Sequence, residues 1–328
     1  MDMVRIGTLG SARIAKAALI EPARYVPDVT VVAVAARDLL RAQAYALEHG
    51  IAVAHGSYDE LLADPGIDAI YNPLPNSLHE SWTLRAITAG KHVLCEKPFA
   101  SNAAKAKLVA EAAAASGLVV MEAMHYRYHP LIGRLREVVA SLGPVRTMQA
   151  WTSFAIANPG NIRYDYALGG GALMDGGCYA IDCMRMLAGE PTVRGALADT
   201  TSGGLVDRAT AALLDFPGGA TGWFESAFTR NGGFRADLHV TCDGGMVHMD
   251  NFIRPHDSRL KVTTAGQTRD EAEAEAGETS TWSSYVWQLR AFAHAIRSGG
   301  PVETSAANAV ATMQVIDDTY RAAALPTR

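Results

Sequence analysis

Cysteine is scarce here and never paired in a working pattern. Cys95, Cys178, Cys183 and Cys242 lie far apart or at unsuitable spacings, and no C-x-x-C occurs. That excludes a disulfide framework and a C-x-x-C redox centre, leaving four reduced thiols of a cytosolic type. Excess positive charge is also missing. A formal net charge of -5 gives no basic field for nucleic acid or an anionic membrane, so neither partner is expected. No apolar run approaches membrane-spanning length, and Met1 leads straight into an apolar strand without the basic region and long apolar core of a signal peptide; a cytoplasmic protein is expected. The nucleophile-elbow pattern G-x-S-x-G is absent, which argues against a hydrolase. His125 and His129 form an H-x-x-x-H pair near Glu122, but Pro130 follows directly and no third ligand presents itself, so no metal is expected.

What is present is ordinary globular composition, 49% hydrophobic and 19% charged over 328 residues, enough for about two domains. Residues 1–123 alternate short β-branched runs with amphipathic stretches, the grammar of βαβ units and a doubly wound parallel sheet. Strands are expected at Val4 to Leu9, Thr30 to Ala36, Ala69 to Asn72, His92 to Cys95 and Leu118 to Glu122. Helices are expected at Ile14 to Arg24, Leu39 to His49, Tyr58 to Ala63, Leu78 to Ala89 and Ala103 to Ser116. Over residues 124–328 longer strands alternate with Gly- and Asp-rich turns: Ala209 to Phe216, Ala220 to Ser226, Ala236 to Thr241 and Met246 to Met249. This is hairpin grammar and predicts an α+β domain with an open, mainly antiparallel sheet. Helices Gly171 to Leu187, Trp282 to Arg297 and Ala306 to Ala323 should cover one face of it. The acidic run Asp270 to Glu278 has no apolar stripe and reads as a solvated loop.

The first strand ends in Gly7-Thr8-Leu9-Gly10-Ser11-Ala12-Arg13-Ile14-Ala15. Aligned on Gly10 this is G-x-A-x-x-A, a degraded form of the dinucleotide fingerprint. Alanine is small enough to admit a diphosphate to the free N–H groups of a helix start, so Gly10, Ser11, Ala12, Arg13 and Ile14 are candidate cofactor contacts. A ligand-free tight turn is the alternative; the parallel sheet that follows favours the dinucleotide. The second strand ends Ala35-Ala36-Arg37-Asp38, with Arg41 one helical turn on. Two guanidiniums suit the 2′-phosphate of NADP, whereas Asp38 could serve the ribose of NAD. NADP is expected, with NAD possible.

Val93-Leu94-Cys95-Glu96-Lys97-Pro98 delivers a lysine to the carboxyl end of a strand, where open parallel sheets form their ligand crevice. Desolvation in such a crevice favours the neutral amine, which can take up a proton. Pro98 fixes φ and allows a cis bond at modest cost. Taken alone, Lys97 is equally readable as a surface lysine. Downstream, Gly169 to Asp182 places five glycines at a helix start, each costing about 1 kcal/mol relative to alanine, so close approach of a ligand or strand is expected. Asp175 and Tyr179 share a face at i,i+4, and Asp182 continues it. A carboxylate, a phenol and a lysine together can pass a proton to and from a hydroxyl. Without the lysine, Asp175 reads as a dipole partner, Tyr179 as a core aromatic and Asp182 as the i,i+3 partner of Arg185.

Taken together, the G-x-A turn, Tyr71-Asn72-Pro73-Leu74-Pro75-Asn76-Ser77-Leu78-His79, Cys95-Glu96-Lys97-Pro98, Glu122-Ala123-Met124-His125-Tyr126-Arg127 and the Gly169 to Asp182 segment resemble the Gfo/Idh/MocA oxidoreductases over the whole length. The resemblance implies an N-terminal Rossmann domain and a C-terminal α+β domain whose sheet forms a homodimer or homotetramer. It implies Lys97, Asp175 and Tyr179 as the catalytic group, with either Lys97 or Tyr179 as the immediate proton carrier. It implies Leu74, Pro75, Asn76, His79, Glu96, Lys97 and Arg163 beside the cofactor. Tyr126, and outside the motifs Phe154, Arg163 and His256, are candidates beside the substrate. Tyrosine rather than histidine at 179 is similar to the branch containing dimeric dihydrodiol dehydrogenases, NADP-linked xylose dehydrogenases and glucose-fructose oxidoreductase. The implied function is hydride transfer between NADP and a hydroxyl or carbonyl carbon of a pyranose sugar or related cyclic polyol. Nucleotide-sugar ketoreductase, trans-dihydrodiol dehydrogenase and a non-catalytic NADP-sensing regulator are the alternatives.

Overall fold

The computed structural model describes residues 3–201, 203–229, 232–271 and 282–328. The chain packs as two units, residues 1–125 with 285–310, and residues 126–284 with 311–328.

The first unit holds a six-stranded parallel sheet: β1 Val4–Leu9, β2 Val29–Ala35, β3 Val53–His55, β4 Ala69–Asn72, β5 His92–Cys95 and β6 Val120–Glu122, in the order β3-β2-β1-β4-β5-β6. β1, β4, β5 and β6 are buried almost throughout, as strands covered on both faces by crossover helices must be. Helices Leu39–His49, Tyr58–Ala63 and Ala103–Ser116 span the residues read from the sequence, because Asp38, Ser57 and Asn102 cap their N-termini with side-chain oxygens. β3 was not anticipated; three residues are too few for a period-2 pattern to register. The helix after β1 runs over residues 13–23 with a π-helical stretch, Lys16–Ile20, in its middle.

The helix Ser284–Ser298, expected on the second sheet, belongs with the first unit from Tyr285 onward. Met121 bridges Ser305, the Glu122 amide donates to the Thr304 carbonyl at 2.8 Å, and the Thr304 hydroxyl donates back to the Glu122 carbonyl at 2.7 Å. Thr304 and Ser305 thereby pair with Met121 and Glu122 at the outer edge of β6.

The second unit is built on an eight-stranded sheet: β7 Val145–Ala155, β8 Thr192–Thr200, β9 Asp207–Asp215, β10 Thr221–Thr229, β11 Leu238–Cys242, β12 Gly245–Met249, β13 Leu260–Thr264 and β14 Gln267–Glu271, in the order β14-β13-β12-β11-β7-β10-β9-β8. Among the described strands of this sheet, only β7 and β10 pair in parallel; the sheet is mixed and mostly antiparallel. Helices Pro130–Ser141 and Cys178–Ala188 belong to this unit, the latter against β7 and β10. Asp270 and Glu271, expected in a loop, close β14, and Glu271 accepts from Arg134 at 2.7 Å; the rest of that acidic run lies outside the described residues. No described helix is long and apolar enough to cross a membrane.

Candidate active site

The strand order reverses between β1 and β4, the topological switch point at which open α/β sheets bind ligands. Gly10, directly after β1, has φ +79, a conformation only glycine adopts freely, and its amide donates to the Ala35 carbonyl at 2.7 Å. A Cβ there would stand 3.2 Å from Leu74 Cδ2 and 3.6 Å from Tyr58 Oη. The turn after β1 and the Leu74-Pro75-Asn76 turn after β4 are therefore neighbours. Ala12 is the N-cap of the following helix and gives no side-chain cap, and the buried Ser11 hydroxyl has no protein partner. Uncapped N–H groups beside an unsatisfied hydroxyl suit the diphosphate of a dinucleotide, so the residues fit that cofactor; Gly10 to Ile14 would hold it, with Arg13 and Ile14 exposed.

At the end of β2 the structure separates the acid from the bases. The Asp38 carboxylate accepts from the Leu40 and Arg41 amides at 2.7 and 3.2 Å, so its Oδ1 is engaged as a helix cap. Arg37 and Arg41 are exposed. Burial raises the Tyr58 phenol, and the charges of Arg37 and Arg41 both act against that rise.

The loop after β5 is clamped at three residues on either side of Lys97. Tyr71, on β4, donates to Glu96 Oε1 at 2.7 Å; His79 Nδ1 meets the Pro98 carbonyl at 2.7 Å; and Glu122, on β6, accepts from the Phe99 amide at 2.9 Å. The Lys97-Pro98 bond is cis. Lys97 is half-buried at the carboxyl end of the sheet. His79 is 1% exposed, and its Nε2 lies 2.7 Å from the Leu74 carbonyl. It thus ties the 74–76 turn to the lysine loop from within. Burial pushes its imidazole down to about 4, with the Lys97 charge adding to the shift. Asn72 supports the same corner, donating to the His79 carbonyl and to Thr83 Oγ1, each at 3.2 Å.

In the second unit, Leu173–Gly177 forms a π-helical turn that runs into the helix Cys178–Ala188. The glycines that precede and fill it answer to close neighbours. A Cβ on Gly170 would stand 2.4 Å from the Arg163 carbonyl oxygen, and one on Gly176 2.7 Å from Ser226 Oγ of β10 and 2.9 Å from Thr152 Oγ1 of β7. Backbone and strand, in these cases, make the approach that the sequence left to a ligand or a strand. Asp175 sits in this turn and pairs with Arg163 through Oδ2 and Nε. Tyr179 is 6% exposed. Tyr126 stands behind it, edge to face at 6.0 Å, fully buried, with its hydroxyl donating to Asp182 at 2.5 Å; burial first, then Asp182, raises that phenol well above its ordinary value. Asp182 also receives Arg127 at 3.3 Å and lies 3.7 Å from Arg185. Phe154 packs on Phe228 at 5.5 Å. His129 Nδ1 caps the helix Pro130–Ser141 through the Leu131 amide at 3.2 Å, and His256 Nδ1 accepts from the Ser284 amide at 3.3 Å.

The sequence-predicted residues thus gather in two groups: Gly10 to Ile14, Arg37, Arg41, Leu74 to Asn76, His79, Glu96 and Lys97 in the first unit; Tyr126, Phe154, Arg163, Asp175 and Tyr179 in the second. Tyr58, Tyr71, Asn72 and Glu122 were not singled out, although Tyr71, Asn72 and Glu122 lay inside the quoted motifs; their roles are contacts across strands, which spacing does not announce.

The fold and these residues define a Rossmann nucleotide-binding unit joined to an α+β unit with an acid and a phenol on one glycine-rich helix. Residues 4–124 match the oxidoreductase family with an NAD-binding Rossmann fold, and residues 132–248 match the GFO/IDH/MocA C-terminal domain. A D-xylose 1-dehydrogenase (NADP(+)) of Haloferax volcanii is 36% identical over 97% of this chain and 96% of its own. A trans-1,2-dihydrobenzene-1,2-diol dehydrogenase of Sus scrofa is 40% identical over 61% of this chain and 60% of its own. Among solved structures, the aldose-aldose oxidoreductase of Caulobacter crescentus, complexed with glycerol, superposes with a TM-score of 0.89 at 27% identity, covering 98% of both chains. The chain belongs to the Gfo/Idh/MocA oxidoreductase family and carries its NAD(P)-binding Rossmann domain.

Proposed function

We propose that this chain is an NADP-linked dehydrogenase or reductase acting at a hydroxyl or carbonyl carbon of a pyranose sugar or related cyclic polyol. The observation that carries the reading is the lysine loop: Glu96, Pro98 and Phe99 are each fixed by a separate neighbour, while Lys97 between them is half-buried at the carboxyl end of the sheet. A loop so constrained serves to aim one side chain. NADP over NAD rests on the engagement of Asp38 as a cap beside two exposed guanidiniums. The sugar-type substrate rests on the xylose dehydrogenase and aldose oxidoreductase relatives.

The bound nicotinamide accepts or supplies the hydride, and the protein handles the proton. Lys97 and Tyr179 would hydrogen-bond the reacting hydroxyl and share its proton; Asp175, paired with Arg163, would hold the local charge and orient them. Assembly into a dimer or tetramer through the second sheet is part of the same proposal. Leu197 and Leu213 are 79% and 52% exposed on that sheet, and Leu213 pairs across to Trp223, whose ring meets Trp151 at 4.8 Å; sedimentation velocity showing only monomer at micromolar protein would remove it.

The test is a kinetic screen of aldoses, inositols and cyclic diols with both cofactors, on the parent, Lys97→Met and Tyr179→Phe. Each variant should bind NADP(H) as the parent does and lose turnover by roughly 10²–10⁴-fold. Parent-rate turnover by Lys97→Met refutes the assignment, and a parent that binds NADP(H) yet oxidises and reduces nothing in the panel marks a sensor instead of an enzyme.

A further inference from the structure

We propose that Asp207 and Arg328, remote in sequence from every motif of the site, are positioning residues that lock the glycine-rich turn and so fix Asp175 and Tyr179; the proposal rests on the catalytic reading of those two residues. Asp207 opens β9 and is fully buried. Both of its oxygens are engaged twice. Oδ1 accepts from the Tyr320 hydroxyl and from Arg328 Nη2, each at 2.8 Å. Oδ2 accepts from the Leu173 amide at 2.7 Å and the Thr210 hydroxyl at 2.9 Å. The Leu173 amide is the first of the π-helical turn that carries Asp175, so a carboxylate from a distant strand caps that turn where no side chain of the turn itself does.

Arg328 completes the lock from the other side. Its Nε donates to the Gly170 carbonyl at 2.8 Å, its ion pair with Asp207 is 0% exposed at both ends, and its guanidinium lies 4.2 Å from the Tyr320 ring centre and 5.0 Å from that of Tyr166. Tyr166 in turn donates to the Thr327 carbonyl at 2.8 Å. One guanidinium therefore grips the carbonyl of Gly170 and the carboxylate that caps Leu173. Between them Gly171, at φ +139, presses against the cluster: a Cβ there would stand 2.3 Å from Asp207 Oδ1 and 2.7 Å from Tyr320 Oη.

The lock reaches the reacting groups in one step. The Gly171 amide donates to the Arg163 carbonyl at 2.9 Å, and the Asp175 amide donates to the Gly171 carbonyl at 3.0 Å. Arg163 pairs with the Asp175 carboxylate. Holding Gly170 and Gly171 therefore fixes both members of the Arg163–Asp175 pair and the first turn of the helix on which Tyr179 follows. A buried ion pair is by itself weak evidence for stability; its convergence on one turn, through a planar guanidinium that reaches the Gly170 carbonyl and the Asp207 carboxylate at once, which the single ammonium of a lysine cannot mimic, points to geometry as its purpose.

The experiment compares the parent with Arg328→Ala, Arg328→Lys and Tyr320→Phe, after a sugar turned over by the parent has been found. Arg328→Ala should lower kcat by about 10²-fold, the scale of a misplaced catalytic group, with KM for the sugar and the dissociation constant for NADPH held within about twofold. Ethylguanidinium, which can refill the space of the missing side chain, should restore much of that kcat, and Arg328→Lys, with one donor group in place of the fork, should fall in between. Tyr320→Phe removes one donor to Asp207 at nearly constant volume and decides the matter if Arg328→Ala does not fold: a fall in kcat without a change in KM is expected. Parent kcat in folded Arg328→Ala or in Tyr320→Phe overturns the proposal, as does a loss that tracks the folded fraction alone and is untouched by ethylguanidinium. Should the parent turn over no sugar at all, the catalytic reading fails separately. Amide hydrogen exchange at Leu173 and Asp175 then decides the lock: faster in Arg328→Ala or Tyr320→Phe upholds it, unchanged rates overturn it.

Discussion

His79 makes the first unit sensitive to acid in a way that can be worked through. Its imidazole is 1% exposed, with both ring nitrogens against backbone carbonyls, and burial pushes it from 6.5 down to about 4. A neutral ring donates to only one of those carbonyls, so both carbonyls favour the charged form, but burial, with the Lys97 charge, outweighs them. Because the folded form binds its proton less tightly than the unfolded chain, protonation favours unfolding: the stability is fully present above pH 6.5 and drains away as pH falls from 6.5 towards 4. Between neutral pH and pH 5 the loss is about 2 kcal/mol, from 1.5 pH units below the unfolded value at 1.36 kcal/mol each. The measurement is urea unfolding of the parent and of His79→Gln at pH 7 and pH 5. His129, also pushed down to about 4 by burial and by His256, contributes in both proteins and cancels in the comparison. The parent should lose roughly 2 kcal/mol more than the variant over that interval. Equal losses, or an imidazole signal for His79 that titrates near 6.5 in the folded protein, would show that the buried ring tolerates its charge and that the argument from burial is wrong.

Two further outcomes follow from the same geometry. Arg37→Ala and Arg41→Ala should each weaken NADPH binding by near tenfold, about 1.5 kcal/mol for one charge-assisted contact at an exposed position, while NADH binding is little changed; a fluorescence titration in which both cofactors weaken equally would leave the arginines without a role in discrimination. Gly171→Ala should cost more than about 3 kcal/mol, since φ +139 disfavours any side chain and the new Cβ would meet Asp207; a variant melting at the parent temperature would mean that the turn can relax.

How much of this was legible in the sequence depends on how far each signal travels along the chain. The doubly wound sheet could be read because each strand and helix carries its own period and its own punctuation: Asp38 before Leu39 and Ser57 before Tyr58 cap helices that begin where the capping residues stand. Lys97 was visible for the same local reason, as a cation following a buried strand. The parallel contact of β10 with β7 was not visible, because a strand's own pattern says which face is buried and nothing about its neighbour's direction. Nor was the pairing of Ser305 with β6, or the embrace of Asp207 by Tyr320 and Arg328: an isolated acid in a strand and an arginine 121 residues further on leave no pattern. The five glycines of Gly169 to Asp182 were legible as an anomaly with two candidate causes, and the packing of Gly170 and Gly176 on backbone and strand supplies one of them.

The way the lysine loop is held bears on how such a site can be tested and altered. Tyr71 grips Glu96 by its carboxylate, His79 meets Pro98 at its carbonyl, and Glu122 takes the amide of Phe99. These three contacts act on Glu96, Pro98 and Phe99, so the conformation of the loop has support that does not pass through the Lys97 ammonium. Lys97→Met should then change the chemistry at one point and leave its frame in place, which is what makes it a sharper probe than Glu96→Ala, where the Tyr71 hydroxyl would lose its acceptor and the frame itself would be disturbed. The same separation lets one scaffold serve different substrates. If the proposed function holds, substitutions at Phe154 and Arg163 in the second unit should alter substrate preference and leave the clamp on 96–99 in place.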